Sequence, residues 1–289
     1  SGNYLLEIFD ESDEMVFSRR FLIYENLSTV EASVFRTRDL EFYQTHQSVQ
    51  FSISPLKGAY FRDPQNQIHV SIIQNDQWNT ALNNLKPQYN NGSRLEYRYD
   101  TESRFEGGNE YLFFDSKDIQ ITSANVSYVE LNRLYETYLT PNFLRRGYPY
   151  SFTQDINGDF IVRTLQGSEN GDIEADYSWV HFSLSAPVLL EDQEIYIYGK
   201  FNNYQLNEEN KMYYNPSLEI YEGVVLLKQG IYNYKYVAKT PESNLYNAIC
   251  GSHALTENRY LILVYYRFFG NQYDSLIGIE ETSSFEVID

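Results

Sequence analysis

Residues 220–237 read IYEGVVLLKQGIYNYKYV. The stretch holds two apolar and aromatic runs, at 220–227 and 231–237, which Lys228-Gln229-Gly230 separates. β-Branched and aromatic residues favour pleated strands, and runs of this length are typical of strands rather than helices. The stretch therefore predicts two strands that follow one another, and an all-β fold class.

The rest of the chain also contains strand-like runs that are separated by turn signals. Val49, Phe51 and Ile53 alternate with polar residues, as expected of a strand with one face in the core. Asn157-Gly158 is a strong hairpin-turn signal, because both positions favour a positive φ. Residues 126–139 could form a helical stripe, but their β-branched and aromatic content favours strand and connector. Helix is expected only in short segments, above all near residues 80–86 or 131–139. Further strand-length runs lie at residues 4–9, 15–24, 160–162, 179–184, 194–198 and 260–266.

The length of 289 residues predicts two or three domains. Residues 4–9 and 15–24, joined by a polar and mostly acidic turn, are expected to form a hairpin. We assign residues 1–28 to the terminal hairpin of a truncated N-terminal domain, 29–137 to a middle β-sandwich, and 138–289 to a C-terminal β-sandwich.

The charge balance restricts the class of partner. The chain has 22 Lys and Arg against 40 Asp and Glu, a formal net charge of −18. Phosphate backbones and anionic lipid are bound through cations. Nucleic acid and bare anionic membrane are therefore excluded as main partners.

The sequence shows no segment that would target or anchor the chain. The longest apolar run, residues 260–266, is far shorter than the about 20 residues of a spanning helix. No signal peptide is visible, and the chain opens in the middle of a strand pattern, so we expect a piece of a longer protein. The single cysteine, Cys250, lies in no Cys/His pattern and is expected to be a buried thiol.

No group of residues in the sequence predicts catalysis, a metal or a cofactor. His46, His69, His181 and His253 do not have the spacing of a local metal clamp. Residues 155–159 have alternate oxygen ligands, as in a calcium loop, but Gln166 stands where the late Glu is needed, so a turn is the better interpretation. We therefore predict a protein that is not an enzyme.

Residues 196–236 resemble the starch- and glycogen-type carbohydrate-binding modules. The segment Gly199-Lys200-Phe201-Asn202-Asn203-Tyr204 is followed by an apolar strand and by Gly230-Ile231-Tyr232-Asn233-Tyr234-Lys235-Tyr236. The resemblance implies an early-set, immunoglobulin-like sandwich. It also implies a vestigial glycan platform of Tyr204, Lys235 and Tyr246, in which a second platform Trp is missing.

Nearly the whole chain is similar to the plug protein family of the type IX secretion system. The matching segments, in order, are Ser1-Gly2-Asn3-Tyr4-Leu5-Leu6, Arg19-Arg20-Phe21, His46-Gln47, Gln74-Asn75, Phe105-Glu106-Gly107-Gly108-Asn109-Glu110, Asp155-Ile156-Asn157-Gly158, Lys228-Gln229-Gly230 with Tyr232-Asn233-Tyr234, Glu257-Asn258-x-Tyr260, Tyr265-Tyr266-Arg267 and Asp274-Ser275-Leu276-Ile277-Gly278.

This resemblance implies tandem immunoglobulin-like sandwiches and a periplasmic location. The expected function is to bind a large outer-membrane β-barrel translocon protein and close the periplasmic end of its pore. The alternative is a glycan-binding module of a surface polysaccharide system, although the incomplete platform argues against glycan as a ligand. The residues that would contact the translocon are not indicated.

Overall fold

The computed structural model describes residues 1–56, 60–92, 94–167, 170–186 and 193–285. Strands make up 49% of the chain and helix 6%, which confirms the predicted all-β, sandwich-type fold. The described α-helices are the single turns α1 (Pro64–Gln67) and α2 (Gly171–Glu174). Short 3₁₀ helices occur at Trp78–Thr80, Lys200–Asn202 and Glu208–Asn210.

The described residues form 22 strands. The first eleven are β1 (Gly2–Phe9), β2 (Met15–Ile23), β3 (Ser28–Arg36), β4 (His46–Pro55), β5 (Ile68–Gln74), β6 (Leu82–Leu85), β7 (Tyr89–Asn90), β8 (Leu95–Tyr97), β9 (Arg104–Glu106), β10 (Leu112–Asp115) and β11 (Val126–Leu131). The others are β12 (Tyr135–Leu139), β13 (Asn142–Phe143), β14 (Phe160–Val162), β15 (Tyr177–Ser185), β16 (Glu194–Tyr198), β17 (Lys211–Asn215), β18 (Ile220–Lys228), β19 (Gly230–Lys239), β20 (Asn244–Leu245), β21 (Arg259–Tyr266) and β22 (Ser275–Ser283).

The chain divides into two compact units. Unit 1 combines Ser1–Glu106 with Glu257–Asp289, and unit 2 is Gly107–Thr256. These limits differ from the predicted boundaries at residues 28 and 137. The reason is that β21 pairs antiparallel with β5 along its length, which places the C-terminal strands β21 and β22 in unit 1. Local patterns identify strands, but they do not reveal a partner that lies almost two hundred residues away.

Unit 1 contains a β-sandwich. One sheet has the order β22-β21-β5-β6, and the other has the order β3-β4-β8-β7 with β9 beside β4. The predicted alternation of β4 is confirmed, since Val49, Phe51 and Ile53 all point into the core. Strands of both sheets contribute to this core, including Val70 and Ile262. The apolar residues that it buries supply the main stabilisation of the unit.

The predicted N-terminal hairpin is present in unit 1. Strands β1 and β2 pair antiparallel and form a separate two-stranded sheet. One face of this hairpin is held against the β22-β21-β5-β6 sheet. Leu22 packs on the cluster of Ile73, Leu263 and Leu276, and the Tyr265 hydroxyl donates to Asn3 Oδ1 at 2.8 Å.

Unit 2 is one extended sheet whose strands enclose a second core. Its order is β10-β19-β16-β17-β18-β15-β12-β11, with β13 beside β15 and with β14 and β20 beside β19. The two strands predicted from residues 220–237 are β18 and β19, but they are separated in the sheet by β17 and β16. Val180, Phe182 and Leu184 of β15 pack inward against this core.

Two local expectations need correction. Residues 126–139 are strands, as favoured, but they form the β11–β12 hairpin inside unit 2 and are not a connector between sandwiches. The expected helix near residues 80–86 is also absent there. Only Trp78–Thr80 is 3₁₀ helix, and β6 follows because Val70 and Ile72 of β5 pair with it.

Candidate functional site

The structure brings the three residues of the predicted glycan platform together in unit 2. Lys235 lies on β19, and its Nζ atom is 6.0 Å from the ring centroid of Tyr246. The rings of Tyr198 and Tyr111 lie 5.8 Å and 5.6 Å from the same Nζ atom. Tyr204 completes the group by packing on Tyr198, with 5.2 Å between ring centroids. We call these five residues the lysine cage.

The lysine cage is closed to a ligand of the size of a sugar. Tyr204 is 6% exposed and Lys235 is 7% exposed, while Tyr246 is half-buried. The Lys235 ammonium group donates a hydrogen bond to Asn247 Oδ1 at 3.2 Å. A sugar stacks on a ring face that solvent can reach, and the buried rings instead surround the cation. The geometry is therefore that of an internal cation–π cluster and not of an open platform.

The 155–159 segment is a tight turn that closes over the lysine cage. Asn157 and Gly158 have φ values of 55° and 82°, as the Asn-Gly signal predicts. A Cβ atom on Gly158 would lie 2.7 Å from Tyr111 Cε1, so the close approach requires glycine. The predicted hairpin is wrong, however, because residues 150–155 are not in a strand.

The two carboxylates of this turn are engaged by the chain itself. Asp155 Oδ1 accepts from the Asn157 amide at 2.7 Å, and Asp155 Oδ2 accepts from the Tyr111 amide. Asp159 Oδ2 forms an ion pair with Lys200 Nζ at 2.6 Å. These contacts are those of a structural turn.

The remaining candidates from the sequence are dispersed. Among the described residues, no three His, Cys, Asp or Glu side chains are grouped so that they could hold a metal ion. Burial lowers the pKa of His46, His69 and His253, which favours their neutral forms. Cys250 is a buried free thiol, as expected. No helix in the described part of the chain is both long and apolar enough to cross a membrane.

The outward side of the β11-β12-β15-β18 sheet carries an apolar and aromatic surface that the sequence analysis did not identify. Strand register places side chains of the four strands in two rows that cross the sheet. We call these two rows the outer face. The first row is Tyr128, Tyr138, His181 and Val224; the second row is Glu130, Glu136, Trp179 and Leu226.

The outer face is open to solvent. Tyr128 is 55% exposed, Trp179 38%, Val224 42% and Leu226 40%. Large apolar side chains in contiguous rows are uncommon on a monomer surface and are characteristic of interaction sites. One signal could have revealed this face. Both β15 and β18 carry large apolar residues at consecutive positions, whereas a strand with one solvated face should alternate.

Neighbouring rings in the first row of the outer face contact one another. Tyr138 and His181 stack with 4.1 Å between centroids and a 14° interplanar angle. His181 Nε2 lies 2.7 Å from Glu136 Oε2, which fixes the imidazole. Burial, with the nearby carboxylates of Glu136 and Glu130, raises the pKa of Tyr138, so its hydroxyl stays protonated. The ring faces of Tyr138 and His181 that cover one another are not available for stacking with a sugar.

A second apolar surface lies on the hairpin of unit 1, on the side turned away from the β22-β21-β5-β6 sheet. Cross-strand register places six large side chains on this side, which we call the hairpin face. Its members, exposed by between 43% and 49%, are Tyr4, Leu6, Ile8, Phe17, Phe21 and Ile23.

Comparison with known proteins identifies a relative of unassigned function. No family model and no curated protein matches the chain. The chain is similar to a hypothetical protein from Parabacteroides merdae ATCC 43184 of known crystal structure, with 32% sequence identity and a TM-score of 0.91. The match covers 98% of this chain and 72% of that protein. The chain therefore belongs to the same family as this hypothetical protein of Parabacteroides merdae.

Proposed function

We propose that the protein acts by binding another protein, and that it is a periplasmic plug that closes the periplasmic end of a type IX translocon pore. The observation that carries the binding function is the outer face of unit 2. The identity of the partner rests on the ordered segments that resemble the plug family, from residues 1–6 to residues 274–278.

A plug acts by steric obstruction and needs no chemical step. Its interface has to be stable while the pore is idle and has to separate when substrate arrives. A face of moderate size meets both needs, because affinity depends on a few well-packed residues more than on total area. Trp179 and Leu226 are neighbours on adjacent strands and are suited to be such residues. The net charge of −18 repels the free protein from anionic lipid. Binding of the partner would therefore depend on shape complementarity and apolar contacts.

Among the described residues of unit 2, no contact favours the glycan-binding alternative. It requires that Tyr204 and Lys235 meet a sugar, and both are buried in the lysine cage. We therefore retain protein binding as the function and assign the lysine cage to the core of unit 2.

The binding test uses purified translocon barrel and this chain. Trp179→Ser and Leu226→Lys should each weaken binding by about tenfold or more, which corresponds to about 1.4 kcal/mol. Leu218→Lys is the matched control, because Leu218 is 62% exposed on the turn before β18 and lies outside the outer face. Equal affinity of all three variants and the parent chain would exclude the outer face.

The cellular test measures permeability of the outer membrane to large antibiotics. Deletion of the gene should make cells sensitive, and a second deletion of the translocon should restore the barrier. If the single deletion were leaky in cells that lack the translocon, the plug function would be wrong and a role as an envelope scaffold would replace it.

A further inference from the structure

One border of the outer face is a free strand edge. β11 is the last strand of its sheet and pairs only with β12 among the described residues. A bulge interrupts the ladder between Val126 and Tyr128, so the regular part of this edge runs from Tyr128 to Leu131. The outward N–H and C=O groups of such an edge can pair with another extended chain.

The sequence of β11 carries only part of the usual protection of an edge strand. Natural edges are blunted by lysine and other charged residues, by proline, by bulges or by short length. β11 reads VSYVEL and has Glu130 and the bulge near Val126, but neither lysine nor proline. Tyr128 is 55% exposed and Leu131 is 63% exposed. This edge therefore combines available backbone groups with apolar side chains.

Glu130 gives the edge a preference for a positively charged residue on the strand that pairs with it. It lies directly opposite Glu136 on β12, and like charges in this position destabilise a strand pair. His181 engages Glu136, whereas Glu130 forms no hydrogen bond or ion pair within the part of the chain that the structure describes. Glu130 is half-buried, so a cation on a further strand would compensate a charge that water screens only in part.

We infer that β11 is a strand-addition site for an extended peptide segment of a protein partner, with a lysine or arginine beside Glu130 and an aliphatic residue beside Tyr128. A second copy of the chain is disfavoured as the occupant, because the same edge would bring another Glu130 and no cation. The inference goes beyond the proposed function, since it concerns the mode of recognition and holds whether or not the partner is a translocon.

The experiment uses the whole chain and a fluorescein-labelled, strand-length peptide in which valine, lysine and valine alternate with threonine. Fluorescence anisotropy should show saturable binding below about 1 mM. A peptide with glutamate in place of lysine should bind about two- to fivefold more weakly, as expected for one cross-strand charge pair. The lysine peptide with N-methyl groups on alternate amides should not bind, because it cannot form the ladder.

Charge reversal locates the site. Glu130→Lys should invert the preference, so that the glutamate peptide binds more tightly than the lysine peptide. Glu222→Lys is the control, since Glu222 lies on β18, on the other side of β15 and β12 from this edge. Binding that survives N-methylation, an unchanged preference in Glu130→Lys, or no binding at about 1 mM would each overturn the inference. A dimer of the chain in light scattering that Glu130→Lys disrupts would overturn it in favour of self-pairing.

Discussion

At the residue scale, several residues in the segments that resemble the plug family are buried and hydrogen-bond to one another within unit 1. Gln47, Asn75, Asn258 and Tyr260 are far apart in the sequence and meet in unit 1. Gln47 Oε1 accepts from the Tyr260 hydroxyl at 2.6 Å and from Asn258 Nδ2 at 3.1 Å. Asn75 Nδ2 donates to Asn258 Oδ1 at 2.7 Å. All four residues are buried, so their polar groups depend on one another.

The central position of Asn258 leads to a stability prediction. Asn258→Ala removes the side-chain hydrogen bonds to Gln47 and from Asn75, and the buried Asn75 amide group loses Asn258 Oδ1 as its acceptor. The substitution should therefore lower the free energy of unfolding by about 2–3 kcal/mol. Urea denaturation measures the effect. Asn90→Ala, on the exposed strand β7 of the same unit, is the control and should change stability by less than about 0.5 kcal/mol. Equal effects of the two substitutions would show that the buried network is not a determinant of stability.

At the element scale, the hairpin of β1 and β2 is the least supported part of unit 1. Two strands alone are marginal in water, and only one side of this hairpin is packed against another sheet. The hairpin face exposes Ile8 and Phe17 as direct cross-strand neighbours. Exposed apolar strands with unpaired edges promote association between chains.

We therefore predict that the hairpin face makes this 289-residue chain self-associate at high concentration. Ile8→Lys should reduce the mean mass measured by light scattering, because a charge would have to be buried in the contact. Leu218→Lys changes charge and hydrophobicity in the same way on unit 2 and should leave the mass unchanged. A parent chain that stays monomeric at every concentration would contradict this prediction.

At the scale of the whole molecule, an acidic all-β protein with an open aromatic face is suited to bind protein. Because the lysine cage is closed, we predict that the protein does not bind sugar tightly. Calorimetry with maltoheptaose should give no binding tighter than about 1 mM, since burial of Tyr204 and Lys235 leaves only the half-buried Tyr246 to stack. Micromolar affinity that Tyr246→Ala abolishes would instead support the glycan-binding alternative.

Local sequence determined much of the element content of this protein. The β-branched and aromatic runs at residues 220–227, 231–237 and 260–266 are strands, since side-chain periodicity and backbone preference act over a few residues. The left-handed turn at Asn157 and Gly158 follows from the same local chemistry. The resemblance implied a glycan platform of Tyr204, Lys235 and Tyr246; the three residues do lie in one cluster, but Tyr204 and Lys235 are buried.

Only the tertiary structure decided which strands pair and which side chains reach solvent. The domain limits differ from the predicted ones because β21 pairs with β5. The lysine cage is closed because Gly158 packs directly against Tyr111. Trp179 faces solvent for a similar reason, because its exposure depends on what the sheet packs against and not on β15 alone. Strand partners and burial are set by contacts between distant segments, and no local pattern encodes such contacts.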